Sequence, residues 1–160
     1  MQMCGIINGS NTEAVMGKSM DIGFLWKLAE GCGTPCRCEL IEQGWGTLAR
    51  GVNLVRTGPL KVGETEYAYG FGTHSPSRIR IASTEPLRRF RAVVGIERNA
   101  ATDSGRARIA PAFFSVEIGG KCVSISPAVR YADGGVAFEA ELNGAAEFEL
   151  IVESPAGIDL

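Results

Sequence analysis

The chain has 160 residues, 45% of them apolar, which suffices for one domain around a single core. No apolar run approaches the roughly 20 residues of a membrane-spanning helix, so we expect a soluble protein. The net charge of −2 is uninformative until it is mapped along the chain. Because the first residues lack the pattern of a secretory signal, we expect an intracellular protein or a piece of a longer secreted one, extracellular or periplasmic.

The first 40 residues precede the strand-like pattern, and we expect them to form a partly helical extension. Within DIGFLWKLAEG, Asp21 is a candidate N-cap and Gly31 a candidate C-cap of a short helix. Three cysteines follow in GCGTPCRC with a spacing that fits no standard zinc site. With five cysteines in all, at least one thiol stays unpaired, and a metal site, a disulfide and free thiols remain open. The cysteines are Cys4, Cys32, Cys36, Cys38 and Cys122, the last of which we expect to be packed in a strand.

Residues 41–160 alternate apolar and polar residues between turns, and no helix pattern interrupts them. This pattern predicts an all-β fold, an antiparallel β-sandwich. Gly119-Gly120 predicts the tightest hairpin, and Asn99–Ala110 is the longest loop candidate. The predicted strands are 59–62, 66–70, 77–82, 88–95, 112–118, 121–126, 136–142 and 147–152.

Charge is distributed unevenly along these strands. Eight arginines lie between Arg78 and Arg108, whereas seven acids and no base lie between Tyr131 and Leu160. Both sets mostly alternate with apolar residues, which indicates strands with one charged face that pair across a sheet. We prefer this structural interpretation to a nucleic-acid surface, because aromatic residues for base stacking are scarce among the arginines.

His74 is the only histidine, and nothing in its surroundings indicates catalysis. Ser75 is adjacent and would point to the opposite face of a strand, and no nucleophile-elbow pattern surrounds it or Ser77. Acidic pairs such as Glu139/Glu141 alternate with apolar residues, as on a solvated strand face, and the Gly-x-Gly-x-x-Gly phosphate pattern is absent. We therefore expect no enzyme activity.

Several motifs follow one another along the chain: QGWG (43–46), GPLKVG (58–63), YAYGFGTHSPSRIRI (67–81) and RFRAVVGIE (89–97), followed by FFSVEIGGKCV, FEAEL and AAEFELIVE. In this order they resemble the NPCBM family of carbohydrate-binding modules. The resemblance covers roughly Gln43 to Asp159. It implies a galactose-binding-like jelly-roll sandwich, usually bacterial and attached to an extracellular glycoside hydrolase, that binds sugar without hydrolysing it and in some members carries a structural calcium.

The sequence departs from that family at three places. Glu97 stands where the family usually has Asp, which puts a calcium role of Glu97 in doubt. Gly119-Gly120 replaces an Asp-Gly hairpin. The family often ends in a further strand, so either the chain is a fragment truncated at that strand or its N-terminal segment fills the edge. WKLAEGCG (26–33) also resembles the family's start, which leaves the register of the first strand open.

The resemblance implies a noncatalytic module that recognises galactose-type or related glycans and targets an associated glycoside hydrolase. From the charge pattern and the short apolar runs we expect neither nucleic acid nor membrane as partner. A protein-association or surface-display sandwich that has lost sugar binding is the alternative, and a thiol or metal function of the clustered cysteines is a third hypothesis. We expect His74 to be structural, its imidazole bridging backbone groups, with ligand contact as the alternative. Trp45 is either core or a sugar platform, and Tyr131 is a further available aromatic residue. The candidate ligand-binding residues are Trp45, Tyr69, His74, Arg78, Asn99, Asp103 and Arg106.

Overall fold

The computed structural model describes residues 3–7, 18–21, 36–46, 48–54, 58–67, 70–105 and 109–155, with the backbone alone for the first two segments and for residue 36. These residues form thirteen strands, one short helix and one 3₁₀ turn. In chain order they are β1 (Met3–Ile7), β2 (Lys18–Asp21), β3 (Cys36–Gln43), β4 (Ala49–Arg50), β5 (Leu60–Val62), β6 (Thr65–Tyr67), β7 (Gly70–His74), β8 (Ser77–Ser83), β9 (Leu87–Ile96), α1 (Ala100–Gly105), β10 (Phe113–Ile118), β11 (Lys121–Ile125), the 3₁₀ turn (Tyr131–Asp133), β12 (Val136–Glu141) and β13 (Glu147–Glu153).

Two sheets and a small hairpin make up the described fold. Sheet A has the strand order β12-β9-β1-β7-β4, with β2 also paired to β9. Sheet B has the order β11-β10-β13-β8-β3. β5 and β6 form a separate two-stranded sheet, which an isolated antiparallel bridge between Val62 and Glu97 links to the end of β9. Apart from the parallel contact of β2 with β9, all these pairs are antiparallel. The prediction of an antiparallel β-sandwich is confirmed.

The hydrophobic core lies between sheets A and B. Its largest buried side chains are phenylalanines from both layers: Phe90 of β9 lies 5.4 Å from Phe148 of β13 and 6.4 Å from Phe138 of β12, measured between ring centroids. Alternate residues of β8 and β9 face this core, as the period-2 pattern predicts. Burial of these rings supplies the main driving force for joining the two layers.

The N-terminal segment contributes to the sheet rather than standing apart from it. β1 lies in the interior of sheet A and pairs with β7 on one side and β9 on the other. β3 starts at Cys36 and runs without a break across residue 40. Our boundary between 1–40 and 41–160 stays a prediction, while Asp21 ends β2 and the rest of the helix predicted over 21–31 lies outside the described residues.

The charged faces of the strands pair as predicted. Arg89 pairs with Glu141 and Arg91 with Glu139 between β9 and β12, the second pair with an N–O distance of 3.3 Å. On sheet B, Glu149 of β13 pairs with both arginines of β8, Arg78 and Arg80. These cross-strand pairs confirm the structural interpretation of the arginine-rich strands.

The Gly119-Gly120 hairpin is also confirmed. Both glycines have positive φ, 58° and 77°, as a two-residue hairpin turn requires, and they join β10 to β11. The expectation that Cys122 is packed is wrong: its side chain is exposed on β11, and its thiol donates to the Ser124 carbonyl at 3.4 Å. Strand alternation did not reveal this because β11 is an edge strand of sheet B. Cys32 lies outside the described residues.

No helix in the described part of the chain is long and apolar enough to cross a membrane.

Candidate functional site

Two strands of sheet A end at the same edge of the sandwich. β7 and β9 both run antiparallel to β1, which lies between them, so they share one direction. Thr73 and Ile96 are both opposite Cys4, so the residues that follow them, His74 and Glu97, lie at the same end and on the same face. Two strand spacings place their backbones about 10 Å apart. The fold thus brings two of the predicted residues to one end of the molecule.

Trp45 lies in the loop after β3, and its side chain is 58% exposed, so it is not a core residue. Its ring meets the imidazole of His74 at 85°, with centroids 4.9 Å apart. The backbone N–H of Gly44 donates to the carbonyl of Pro76 at 2.7 Å. Gly46 has φ 75°, and a Cβ at this position would lie 3.3 Å from the imidazole. The loop is therefore held against the turn between β7 and β8, with a large apolar ring in solvent. We call Gly44, Trp45, Gly46 and His74 the Trp45 platform.

His74 is only 3% exposed, at the end of β7 rather than in the turn after it. Neither ring nitrogen has a hydrogen-bond partner among the described residues, so the predicted bridging of backbone groups is not found there. Burial lowers the pKa of His74, and the nearby backbone of Trp45 opposes that effect in part. The lowered pKa favours the neutral imidazole, which carries one N–H donor and one nitrogen acceptor.

Glu97 is fully buried at the end of β9. The backbone N–H of Leu54 donates to both of its carboxylate oxygens at 3.1 Å, and Asn99 Nδ2 donates to Oε1 at 2.8 Å. Burial raises the pKa of Glu97, and the hydrogen bonds from Asn99 and Leu54 lower it in part. Gly72 leaves the room for this carboxylate, because a Cβ there would lie 3.2 Å from Oε2. Glu97 thus ties the loop before β5 to sheet A.

Asn99 and Asp103 hold the short helix α1 in place. Asn99 Oδ1 accepts from the backbone N–H of Thr102 at 3.1 Å, the contact of an N-cap. Asp103 Oδ1 accepts from Arg98 Nε at 3.0 Å and also from the hydroxyl of Tyr131. These polar groups of the predicted loop are therefore engaged with the protein itself. We call Leu54, Glu97, Arg98, Asn99, Asp103 and Tyr131 the Glu97 cluster.

The described surroundings of Glu97 do not fit calcium. Calcium takes six to eight oxygen ligands, whereas the described contacts of this carboxylate are N–H donors, which repel a cation. Within the described residues, no group of three or more His, Cys, Asp or Glu side chains lies close enough to hold a metal ion.

The described hydrogen bonds of Arg78 are with Glu117 and Glu149, not with residues of the Trp45 platform. Its guanidinium binds Glu149 and donates to Glu117 Oε2 at 2.9 Å, and these bonds raise the pKa of Arg78 further. Both carboxylates bind the same nitrogen, Nη1, so this part of the guanidinium is already engaged with the protein. Tyr69 and Arg106, the other two candidates, lie outside the described residues.

Comparison with known protein domains assigns the family. The sequence model of the NPCBM/NEW2 domain matches residues 36–158, more than half of the chain. The chain belongs to the NPCBM/NEW2 family. This NPCBM/NEW2 domain is therefore a noncatalytic carbohydrate-binding module, as the resemblance implied. A search of curated proteins finds no significant match.

Solved structures confirm the fold of the NPCBM/NEW2 domain. The CBM51-2 and INT domains of ZmpB from Clostridium perfringens align with a TM-score of 0.63 and 19% identity over 74% of this chain and 26% of that one. CBM51 from Clostridium perfringens GH95, in complex with methyl-galactose, aligns with a TM-score of 0.56 and 16% identity over 73% of this chain and 81% of that one. A structure of the ZmpB M60 catalytic domain with CBM51-1 and CBM51-2 gives a TM-score of 0.59 and 22% identity over 77% of this chain and 14% of that one. The chain thus spans about a quarter of the first of these structures.

Sequence reasoning missed two groups that shape the site of the NPCBM/NEW2 domain. Leu54 contributes only its backbone N–H to Glu97, a contact that side-chain patterns do not reveal. Gln43 contributes the amide that binds the Trp45 carbonyl at 2.7 Å. The one available signal was the Gln-Gly-Trp-Gly run itself, in which glycines flank an aromatic residue and mark a loop.

Proposed function

We propose that the domain recognises galactose-type glycans through the Trp45 platform. The observation that carries the proposal is the exposed ring of Trp45 held against His74. In galactose the axial hydroxyl at C4 leaves C–H groups clustered on one face of the sugar, and such a face packs on an aromatic ring. The exposed indole offers the apolar surface that this contact needs.

His74 could supply hydrogen bonds for the recognition of sugar hydroxyls beside Trp45. Its two ring nitrogens have no partner among the described residues, although buried polar groups normally have one. A neutral imidazole offers one donor and one acceptor, and a sugar hydroxyl accepts and donates in the same way. Both nitrogens are themselves buried, so the group that would satisfy the imidazole beside the Trp45 ring is a water that bridges to a sugar hydroxyl.

We further propose that the domain directs an attached glycoside hydrolase to its glycan. Two of the similar structures support this proposal through their descriptions: one CBM51 domain comes from a GH95 protein, and another CBM51 pair accompanies an M60 catalytic domain. The second structure shows that domains of this fold occur in one chain with a catalytic domain. A noncatalytic module in such a chain raises the local concentration of substrate near the catalyst.

Sugar titration of Trp45→Ala tests the proposal. The unmodified chain should show saturable chemical-shift changes in ¹H–¹⁵N spectra with methyl galactoside, and weaker changes with methyl glucoside. Loss of the ring should weaken binding at least about tenfold, since aromatic packing and the buried apolar area together exceed about 1.4 kcal/mol. N-acetylglucosamine belongs in the same series, because a ZmpB CBM51-2 structure contains it.

Ile125→Ala is the matched control. Ile125 of β11 is 62% exposed, similar to Trp45, but lies on the edge strand of sheet B. Its truncation should leave sugar affinity unchanged. A folded chain that shows no binding at millimolar sugar would contradict the proposal, and self-association of that chain in light scattering would favour the alternative of a protein-association domain.

A further inference from the structure

A chain of side-chain hydrogen bonds runs from the sandwich interior to the backbone of Trp45. Gln43 Nε2 donates to the Trp45 carbonyl at 2.7 Å. Thr73 Oγ1 donates to Gln43 Oε1 at 2.8 Å, and the same Thr73 oxygen lies 2.6 Å from Ser77 Oγ. Four residues, from three separate segments in the sequence, are thus linked in series.

The donors and acceptors of this chain fix one arrangement. A hydroxyl carries one hydrogen, so Thr73, when it donates to Gln43, accepts the hydrogen of Ser77. Gln43 then uses its oxygen toward the interior and its NH₂ group toward Trp45, and reversing the amide would break both contacts. Gln43 is therefore oriented from both sides.

The inner part of the chain is rigidly placed. Thr73 and Ser77 are both buried, and they lie on either side of the turn that takes the chain from sheet A to sheet B. Gln43 is the last residue of β3 and is opposite Ser77 in the sheet. The loop of the Trp45 platform therefore receives its position from the junction of the two sheets.

We propose that Gln43 is a positioning residue for ligand binding, which sets the orientation of Trp45 through its carbonyl without contacting the ligand. This inference rests on the proposed function, because it assigns Gln43 a role at that same site. An exposed ring that is already oriented loses less conformational freedom on binding than a mobile one. Gln43 thus contributes to sugar affinity through preorganisation.

Gln43→Leu removes both hydrogen bonds while keeping a side chain of similar size. The indole N–H resonance of Trp45, assigned by its disappearance in Trp45→Phe, should shift, and its ¹⁵N relaxation should report greater mobility. Affinity for methyl galactoside should weaken about three- to tenfold, the effect of one lost hydrogen bond. Glu42→Gln, an exposed change at the neighbouring position of β3, is the matched control and should leave both measurements unchanged.

Gln43→Glu tests whether the hydrogen bond itself is responsible. At neutral pH a carboxylate has no hydrogen to donate to the Trp45 carbonyl, so this variant should resemble Gln43→Leu. Below about pH 4.3 the carboxyl is protonated, donates to that carbonyl and still accepts from Thr73. The indole resonance should then return to the position it has in the unmodified chain at the same pH.

The outcomes separate this inference from the proposed function. An unchanged indole resonance and mobility in Gln43→Leu would overturn it, and so would a shifted resonance that Gln43→Glu fails to restore at low pH. If the indole responds as described but the unmodified chain binds none of the sugars, the proposed function fails while Gln43 retains its effect on Trp45. If sugar affinity is unchanged despite a mobile indole, Gln43 does not contribute to binding.

Discussion

Glu97 is a buried carboxylate, and the N–H donors around it explain how it can be buried. Leu54 and Asn99 satisfy its oxygens, as buried polar groups require. The family resemblance associated this position with calcium, whereas the described contacts of Glu97 are N–H donors, which do not fit a cation. Glu97 is best understood as the residue that anchors the loop before β5.

Glu97→Gln should change how stability depends on pH. Burial raises the pKa of Glu97 in the folded chain above its value in the unfolded chain, about 4.3. The contribution of Glu97 to the free energy of unfolding is therefore complete below about pH 4.3 and is lost as the pH rises through the folded pKa. Glutamine does not titrate. From about pH 4 to pH 7, the free energy of unfolding of the variant should therefore rise relative to the unmodified chain, by about 1.4 kcal/mol per unit of pKa elevation. Urea denaturation at several pH values measures this slope.

Glu66→Gln is the control for that experiment. Glu66 is exposed on β6, so Glu66→Gln makes the same chemical change without altering a buried carboxylate. A flat difference for Glu97→Gln would contradict the enclosed carboxylate. Any shift of the melting curve between calcium and EDTA should be the same, within about 1 °C, in Glu97→Gln and in the unmodified chain, since the described contacts of this carboxylate are N–H donors.

The role of Trp45 and His74 could be predicted only in part from the sequence. Both residues lie in motifs that a single sequence shows: Trp45 between two glycines in QGWG (43–46), and His74, the only histidine, in YAYGFGTHSPSRIRI (67–81). Whether Trp45 is core or surface depends on a loop held by Pro76, 32 positions after Gly44 by their numbers in the chain. No local sequence pattern predicts such a contact, so only the structure could show that Trp45 is exposed.

At the level of elements, glycines let the β5–β6 hairpin lie against sheet A. Leu60 and Val62 of β5 are buried, with Tyr67 of β6 packed beside them. A Cβ at Gly95 of β9 would lie 2.3 Å from Val62 Cγ1 and 2.8 Å from the carbonyl oxygen of Gly134. Only a residue without a side chain allows these segments to approach so closely.

Gly95→Ala should therefore destabilise the fold. The added methyl group meets Val62 and a backbone oxygen, so we expect a loss of about 1–3 kcal/mol in the free energy of unfolding, the usual range for overpacking. Gly105→Ala is the matched control, since nothing lies within 4 Å of its added Cβ. Thermal denaturation followed by circular dichroism compares the two. Equal melting temperatures would mean that the hairpin does not press on sheet A.

The strands that alternate apolar and charged residues were predicted well, and the others were not. β8, β9 and β12 show this period, because one face lies on the core and the other carries paired charges. β7 reads Gly-Phe-Gly-Thr-His and, apart from Gly70, falls between the strands predicted over 66–70 and 77–82, yet all five residues are buried in sheet A. Strands buried on both faces lose the alternating signal, and here the glycines concealed the strand further.

At the scale of the whole molecule, the two sheets meet at the end where β7 and β9 stop. The Trp45 platform and the Glu97 cluster both lie there, on either side of β1. The Trp45 platform combines an exposed indole with a buried imidazole that has no hydrogen-bond partner among the described residues, while the Glu97 cluster is internally satisfied. Under the proposed function, the Trp45 platform binds the ligand and the Glu97 cluster fixes the shape of this end of the sandwich.

Removal of residues 1–35 should disrupt sheet A, although the family match begins at residue 36. β7 would lose one of its neighbours and β9 would lose the neighbour of its C-terminal half, which leaves backbone groups unpaired. We expect the free energy of unfolding to fall by at least about 3 kcal/mol, the cost of only a few such groups. Urea denaturation measures it, and deletion of residues 1–2 alone is the control. Equal stability would show that β1 is dispensable.

Because β1 pairs with β7 and β9 through backbone groups alone, we expect that it can be supplied to the rest of the fold as a separate peptide. A synthetic peptide of residues 1–10 has the backbone needed to complement a chain that starts at residue 36, by inserting between β7 and β9. Reassembly would restore the end of the sandwich that carries Trp45. Glycan capture by this domain would then depend on a peptide supplied in trans, which turns a sheet strand into a switchable component.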